Sequence, residues 1–172
     1  MGKALLIIAP QDFREEELFD TKKALEEKGK ECIIASKTKG TCTGKPEGKT
    51  AEATLALDEV KTDEFDAIVF IGGMGATIYQ NDTTAHKIIK EAYEKGKIIA
   101  GICIAPTILA NAGILKGKRA TVWDSGDKKI ATQIEEKGAI YTGENVTTDG
   151  KIITANGPHA AKEFGEKIAE MI

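Results

Sequence analysis

Apolar residues in this chain fall in short unbroken runs, separated by stretches with helical spacing. Residues 4–9, 66–71 and 97–102 are runs of the kind found in strands buried on both faces of a sheet. Residues 31–36, 50–57, 119–123, 139–141 and 151–155 read as further strands. Helical spacing covers about 14–28, 82–95, 104–113, 128–137 and 158–171, and four of these stretches end at Gly29, Gly96, Gly113 and Gly138. Residues 37–49 are polar and Gly-rich, a loop or irregular hairpin. Strands alternating with helices predict an α/β domain, a mostly parallel sheet sandwiched by helices. No linker or repeat divides the 172 residues, so one domain over 1–172 is expected.

Ligands of such sheets bind beyond the C-terminal ends of the strands. Three segments leave strands at that edge: Pro10-Gln11-Asp12-Phe13 with the acids after it, Gly72-Gly73-Met74-Gly75, and Cys103. Cys103 stands where a strand turns directly into a helix that has Pro106 in its first turn, with small residues, Gly101 and Ala105, two positions to either side. That is the composition of a nucleophile elbow, whose turn is too tight for larger neighbours. A helix N-terminus behind the sulfur also favours thiolate, so the sequence predicts a lowered Cys103 pKa. A core cysteine that merely ends a strand is the alternative. Gly72-Gly73 exposes backbone N–H groups that can bind an oxyanion together with the N–H of Ile104, or it is simply a turn that only glycine makes. Of the acids Glu15, Glu16 and Glu17, the helix stripe of Leu18, Thr21 and Leu25 turns Glu16 away. It leaves Glu15 and Glu17 equally placed, and all three also complement the helix dipole.

Charge and cysteine usage narrow the chemistry. The net charge is -3 with no dominant Lys/Arg block, so nucleic acid is not expected as a partner. No apolar run approaches a membrane span, and the N-terminus has no basic stretch ahead of a long apolar one, which reads as cytoplasmic with no membrane partner. Cys32, Cys42 and Cys103 are odd in number and irregularly spaced, which argues against a disulfide framework. Cys32 reads as a core-strand residue and Cys42 as a loop residue. With His86 and His159 far apart and near no cysteine, no metal site is expected.

Taken together, four segments resemble the DJ-1/PfpI superfamily, which includes PfpI-type intracellular proteases and the Parkinson-associated deglycase. They are Asp12-Phe13-Arg14-Glu15-Glu16-Glu17-Leu18, residues 65–73 ending in Gly72-Gly73, Gly101-Ile102-Cys103-Ile104-Ala105-Pro106, and residues 149–158 ending in Gly157-Pro158. The resemblance covers nearly the whole chain. It implies a flavodoxin-like, class I glutamine amidotransferase-like sheet and places the family's glutamate on Glu17. Two departures stand out. The protease branch has His directly after the nucleophile, where this chain has Ile104. The deglycase branch has His about twenty residues further on, where this chain has Trp123. His159, after the Gly157-Pro158 turn, is the histidine that could approach the site, and His86 reads as surface.

The resemblance therefore implies a cofactor-independent glyoxalase or deglycase acting on small 2-oxoaldehydes such as methylglyoxal and glyoxal. In that role Cys103 is the nucleophile and Glu17 the acid/base, with a raised pKa and a proton shared with the sulfur. Gly73 and Ile104 bind the oxyanion, and Gly72, Trp123, Gly157, Pro158 and His159 stand at the pocket. A PfpI-like cysteine peptidase, and a non-catalytic redox sensor or stress chaperone using the oxidisable Cys103, are the alternatives. Relatives form dimers or higher rings, so a homodimer or larger homo-oligomer is expected.

Overall fold

The apolar runs at residues 4–9, 66–71 and 97–102 lie side by side as parallel strands at the centre of the molecule. The computed structural model describes residues 1–172. In chain order the strands are β1 (Lys3–Ile7), β2 (Gln11–Arg14), β3 (Glu31–Ser36), β4 (Gly40–Lys45), β5 (Thr50–Ala53) and β6 (Leu55–Ala56). They continue with β7 (Ala67–Phe70), β8 (Ile98–Ile102), β9 (Arg119–Ala120), β10 (Ile140–Tyr141), β11 (Val146–Asp149) and β12 (Ile152–Ala155). The helices are α1 (Glu15–Glu27), α2 (Thr83–Glu94), α3 (Pro106–Asn111), α4 (Lys129–Glu136) and α5 (Ala161–Met171).

The seven-stranded central sheet runs β11-β12-β8-β7-β1-β3-β6, parallel except for the edge pair β11-β12. Its inner strands β3-β1-β7-β8-β12 stand in the order second, first, third, fourth, fifth, the flavodoxin-like arrangement. Such a sheet reverses direction at β1, and the crevice opens at the C-terminal ends of β1 and β7. The chain leaves β1, β7 and β8 there through residues 8–14, the Gly72-Gly73 turn and Cys103.

Period-2 alternation splits the core into two. Leu5, Ile7, Ile68, Phe70 and Ile99 face one side, with Ile88, Ile89, Ile108, Leu109 and Ile134 from α2, α3 and α4. Leu6, Ile8, Val69, Ile71 and Ile102 face the other, with Leu18, Leu25, Phe164 and Ile168 from α1 and α5. Helices α1 and α5 cross closely at Gly165, where a Cβ would come within 2.7 Å of the Thr21 carbonyl. That crossing seats α1, and with it the acids at its start.

Several expectations are corrected. Residues 37–49 form the first arm and turn of a hairpin, as one of the two readings had it, but with a full strand, β4, paired antiparallel with β5 and lying beside β2 in a three-stranded sheet. Cys42 therefore belongs to a strand and is buried, where the sequence suggested a loop. Strands β2, β4 and β11 are short and largely polar, and their partners, not their own apolar pattern, hold them. The helix after Cys103 begins at Pro106 rather than residue 104, because residues 103–105 form the turn itself. Only Arg119 and Ala120 of the stretch 119–123 pair as strand, and residues 158–160 are a 3-10 turn ahead of α5.

Candidate active site

Cys103 has φ of 64°, a left-handed conformation that costs a non-glycine residue about 1–2 kcal/mol. Its backbone is held on both sides: its N–H donates to the Ala155 carbonyl at 2.9 Å, and its carbonyl accepts from Trp123 N–H at 2.9 Å. The sheet and the Trp123 segment thus hold the elbow, and the thiol projects into the crevice.

The Gly72-Gly73 turn packs against it. A Cβ at Gly72 would lie 2.7 Å from Cys103 Cβ and 2.7 Å from the Ile102 carbonyl, so no side chain fits there. Gly73 has φ of 97°, and a Cβ on it would lie 2.5 Å from both Arg14 N and the Asp12 carbonyl. The turn is pinned to β2 by Arg14 N–H donating to the Gly72 carbonyl at 3.0 Å. The result brings the N–H groups of Gly73 and Ile104 to the sulfur, where both favour its charged form.

At the start of α1 the three acids part company. Glu15 is buried and its two oxygens accept from the N–H groups of Glu47 at 3.0 Å and Lys49 at 2.7 Å. Glu16 is half-exposed and pairs with Arg14 Nε. Glu17 is fully buried, and neither carboxyl oxygen makes a hydrogen bond of ordinary geometry. Its Oε2 lies 2.9 Å from where a Gly72 Cβ would be, on the same side of the turn as Cys103. The tie between Glu15 and Glu17 is broken by what each faces: the β4–β5 turn in one case, the thiol in the other.

Burial pushes the Glu17 carboxyl up to about 8, opposed only in part by the Cys103 thiol, Arg14 and the Gly72 N–H. The Cys103 thiol is pushed up to about 12, first by burial and then by the Glu17 charge, against the two backbone N–H groups. The raised Glu17 agrees with the sequence expectation. The lowered Cys103 does not, because burial and a neighbouring carboxylate outweigh the turn's dipoles. The two groups are coupled: a charge on Glu17 opposes a charge on Cys103, so once one proton has left, the pair resists losing the second.

A cavity of about 430 Å3 opens over the sulfur, lined by Cys103, Glu17, Gly73 and Ile104 on its floor. Trp123, Met74 and Pro158 form an apolar wall, and Asp12, Arg14 and Lys45 a charged one. Gly72 lies behind Cys103, and Gly157 is buried beside the Trp123 ring. His159 is exposed, its Nε2 lies 3.3 Å from Asn145 Oδ1, and it does not line the cavity. His86, on α2, has its Nε2 2.8 Å from the Gln80 carbonyl and does not line the cavity. Lys45 carried no signal in the sequence, since nothing local shows that a loop lysine reaches the cavity; Met74 lay in the glycine turn that the sequence placed at this edge, without a role of its own.

A model of the DJ-1/PfpI family matches residues 2–171. An uncharacterised protein of Methanocaldococcus jannaschii is 41% identical over 99% of this chain and 82% of its own length. A deglycase of Thermococcus kodakarensis is 36% identical over 90% of each chain. A glutathione-independent glyoxalase of Caenorhabditis elegans is 30% identical over 98% of this chain and 88% of its own. The crystal structure of a ThiJ/PfpI domain protein from Brachyspira murdochii superposes with a TM-score of 0.92 at 34% identity, covering 98% of this chain and 95% of that one.

Proposed function

The chain belongs to the DJ-1/PfpI family, and from that premise we propose that it converts small 2-oxoaldehydes to 2-hydroxy acids without glutathione or another cofactor. Deglycases and a glutathione-independent glyoxalase are among its relatives. The observation that carries the reading is a fully buried, unpartnered Glu17 carboxyl facing Cys103, with two backbone N–H groups aimed at the sulfur. A structural carboxylate would find partners, as Glu15 does.

The steps follow from those groups. With one proton shared by the pair, the Cys103 thiolate adds to the aldehyde carbon. The electron pair of the C=O bond moves to oxygen, which the Gly73 and Ile104 N–H groups stabilise, and the Glu17 proton neutralises it as a hemithioacetal. Glu17, now a carboxylate, takes the C1 proton, the electrons move onto the neighbouring ketone oxygen, and that oxygen takes the C1 hydroxyl proton to give an enediolate. Protonation at C2 by Glu17 leaves a 2-hydroxy thioester on Cys103. Water attacks that carbonyl, the C–S bond breaks, and the 2-hydroxy acid leaves with the thiol restored. The same first addition to an early glycation adduct yields deglycation.

Peptide hydrolysis fits less well. It needs an imidazole that takes the thiol proton and passes it to the leaving amine, and no imidazole lines the cavity. The exposed Met74 and Trp123 at the cavity mouth, with nearby Ile78, support pairing with a second copy of the chain.

The deciding experiment mixes the purified protein with methylglyoxal, without thiol additives, and measures lactate. Cys103→Ala is expected to abolish production, with Cys32→Ala and Cys42→Ala retaining it. Undiminished turnover in folded Cys103→Ala would refute the proposal.

A further inference from the structure

Beyond the pull of Arg14 on the Glu17 charge, the charged wall of the cavity has no task in the chemistry above. Its two cations come from neighbouring strands: β2 and β4 run parallel, and their register sets Arg14 directly beside Lys45. Like charges at paired positions of a sheet are unfavourable unless something lies between or before them. Glu16 engages Arg14 only through Nε, and the terminal guanidinium nitrogens make no hydrogen bond within the protein. No carboxylate lies within ion-pairing distance of Lys45, although its neighbours Lys37, Lys39 and Lys49 all have one. Besides Glu17, Asp12 is the one other acid that lines the cavity, and with Glu16 taken up at Arg14 Nε, Lys45 is the cation of this wall left without a carboxylate.

The placement is also rigid. Gly44, immediately before Lys45, packs so tightly that a Cβ there would lie 2.7 Å from Glu15 Cγ and 2.8 Å from the Phe13 ring. The turn after Lys45 is held by the Glu15 carboxylate, which accepts the Glu47 and Lys49 N–H groups, and by Gly44 N–H donating to the Lys49 carbonyl at 2.8 Å. Glu15 is thus a positioning residue: it fixes the segment that carries Lys45 to the helix that carries Glu17. The cavity, at about 430 Å3, is also several times larger than a three-carbon aldehyde needs.

We infer that Arg14 and Lys45 form a carboxylate-recognition wall, which makes the site selective for electrophiles carrying a carboxylate on the side away from the carbon that Cys103 attacks. The inference deepens the glyoxalase reading by naming the substrate class, 2-oxoaldehydes and their adducts with a carboxylate tail. The planar guanidinium supplies geometry and the lysine a mobile charge.

The test is independent of turnover. Cys103 in the full-length protein is alkylated with N-iodoacetylglycine and with its neutral amide, two probes of equal size that differ only in the carboxylate. The site of labelling is read by mass spectrometry at low salt and at pH 8. In the wild type the anionic probe is expected to react faster relative to the neutral one than it does with free cysteine. Lys45→Gln lowers the ratio about fivefold, Lys45→Glu lowers it further, and Lys45→Arg restores it. High salt compresses all the ratios, and Lys49→Gln, on the far side of the same turn, leaves the wild-type ratio. A wild-type ratio no higher than that of free cysteine, or one that Lys45→Gln and Lys45→Glu do not lower, overturns the inference. If the ratio behaves as expected while methylglyoxal yields no lactate, the recognition wall stands and the glyoxalase reading fails.

Discussion

At the scale of single residues, Glu17 is where environment and chemistry meet most sharply. A carboxyl raised from 4.5 to about 8 is one whose neutral form the fold stabilises. That contribution is complete below pH 4.5, shrinks as pH rises, and is lost once pH passes about 8. Glu17→Gln keeps the shape without the ionisation. Its stability advantage over the wild type is therefore expected to grow from pH 4.5 to about 8 and then level off, as read by urea unfolding at a series of pH values. A difference that stays flat with pH would mean that the carboxyl is not desolvated. The activity moves the opposite way. In the proposed mechanism the singly charged Cys103–Glu17 pair is the reactive form, so kcat/KM for methylglyoxal is expected to rise with pH through about 8. Glu17→Gln lowers turnover by about 100-fold or more. Glu16→Gln leaves it nearly unchanged, since that carboxylate reaches only Arg14 Nε.

At the scale of elements, the elbow and the glycine turn are one mechanical unit. The left-handed φ of Cys103 is strain that glycine would not carry. Cys103→Gly and Cys103→Ala are both expected to be inactive, with the glycine variant more stable by about 1 kcal/mol in chemical denaturation. Equal stability would show that the elbow is unstrained. Gly72→Ala tests the other half of the unit. Its Cβ has nowhere to go between Cys103 Cβ and the Ile102 carbonyl, so the turn must shift, at a cost of about 2 kcal/mol or more. Activity falls with it, because the Gly73 N–H moves off the sulfur. Helix α1 depends on packing at a distance, since the close crossing at Gly165 holds the helix that presents Glu17.

At the scale of the whole molecule, a parallel sheet with helices on both faces leaves its functional edge at the C-terminal ends of β1, β7 and β8. None of the helices is long and apolar enough to cross a membrane. Apart from the N-terminal Met1, the most exposed large apolar side chain is Met74, at 73%, and it stands with the 40%-exposed Trp123 at the mouth of the cavity. If a second copy covers that rim, sedimentation velocity gives a dimer or larger species, and Met74→Glu shifts it toward monomer. A wild-type monomer at micromolar concentration would remove the pairing.

The buried strands, the helix periods, the elbow around Cys103 and the double glycine were legible in the sequence, because each is a local pattern of size, polarity and backbone freedom. Helical periodicity excluded Glu16 but left Glu15 and Glu17 level. A helix period says how far a side chain turns, not what waits on the other side. Only the tertiary structure decided that one acid meets the N–H groups of the β4–β5 turn and the other meets a thiol in a dry site. The same limit hid β4 and Lys45. Their place beside β2 comes from strand pairing across about thirty residues of chain, which no window on the sequence contains. It also reversed the expected Cys103 shift: the helix start favoured a thiolate, but burial and a neighbouring carboxyl exist only once the chain has folded.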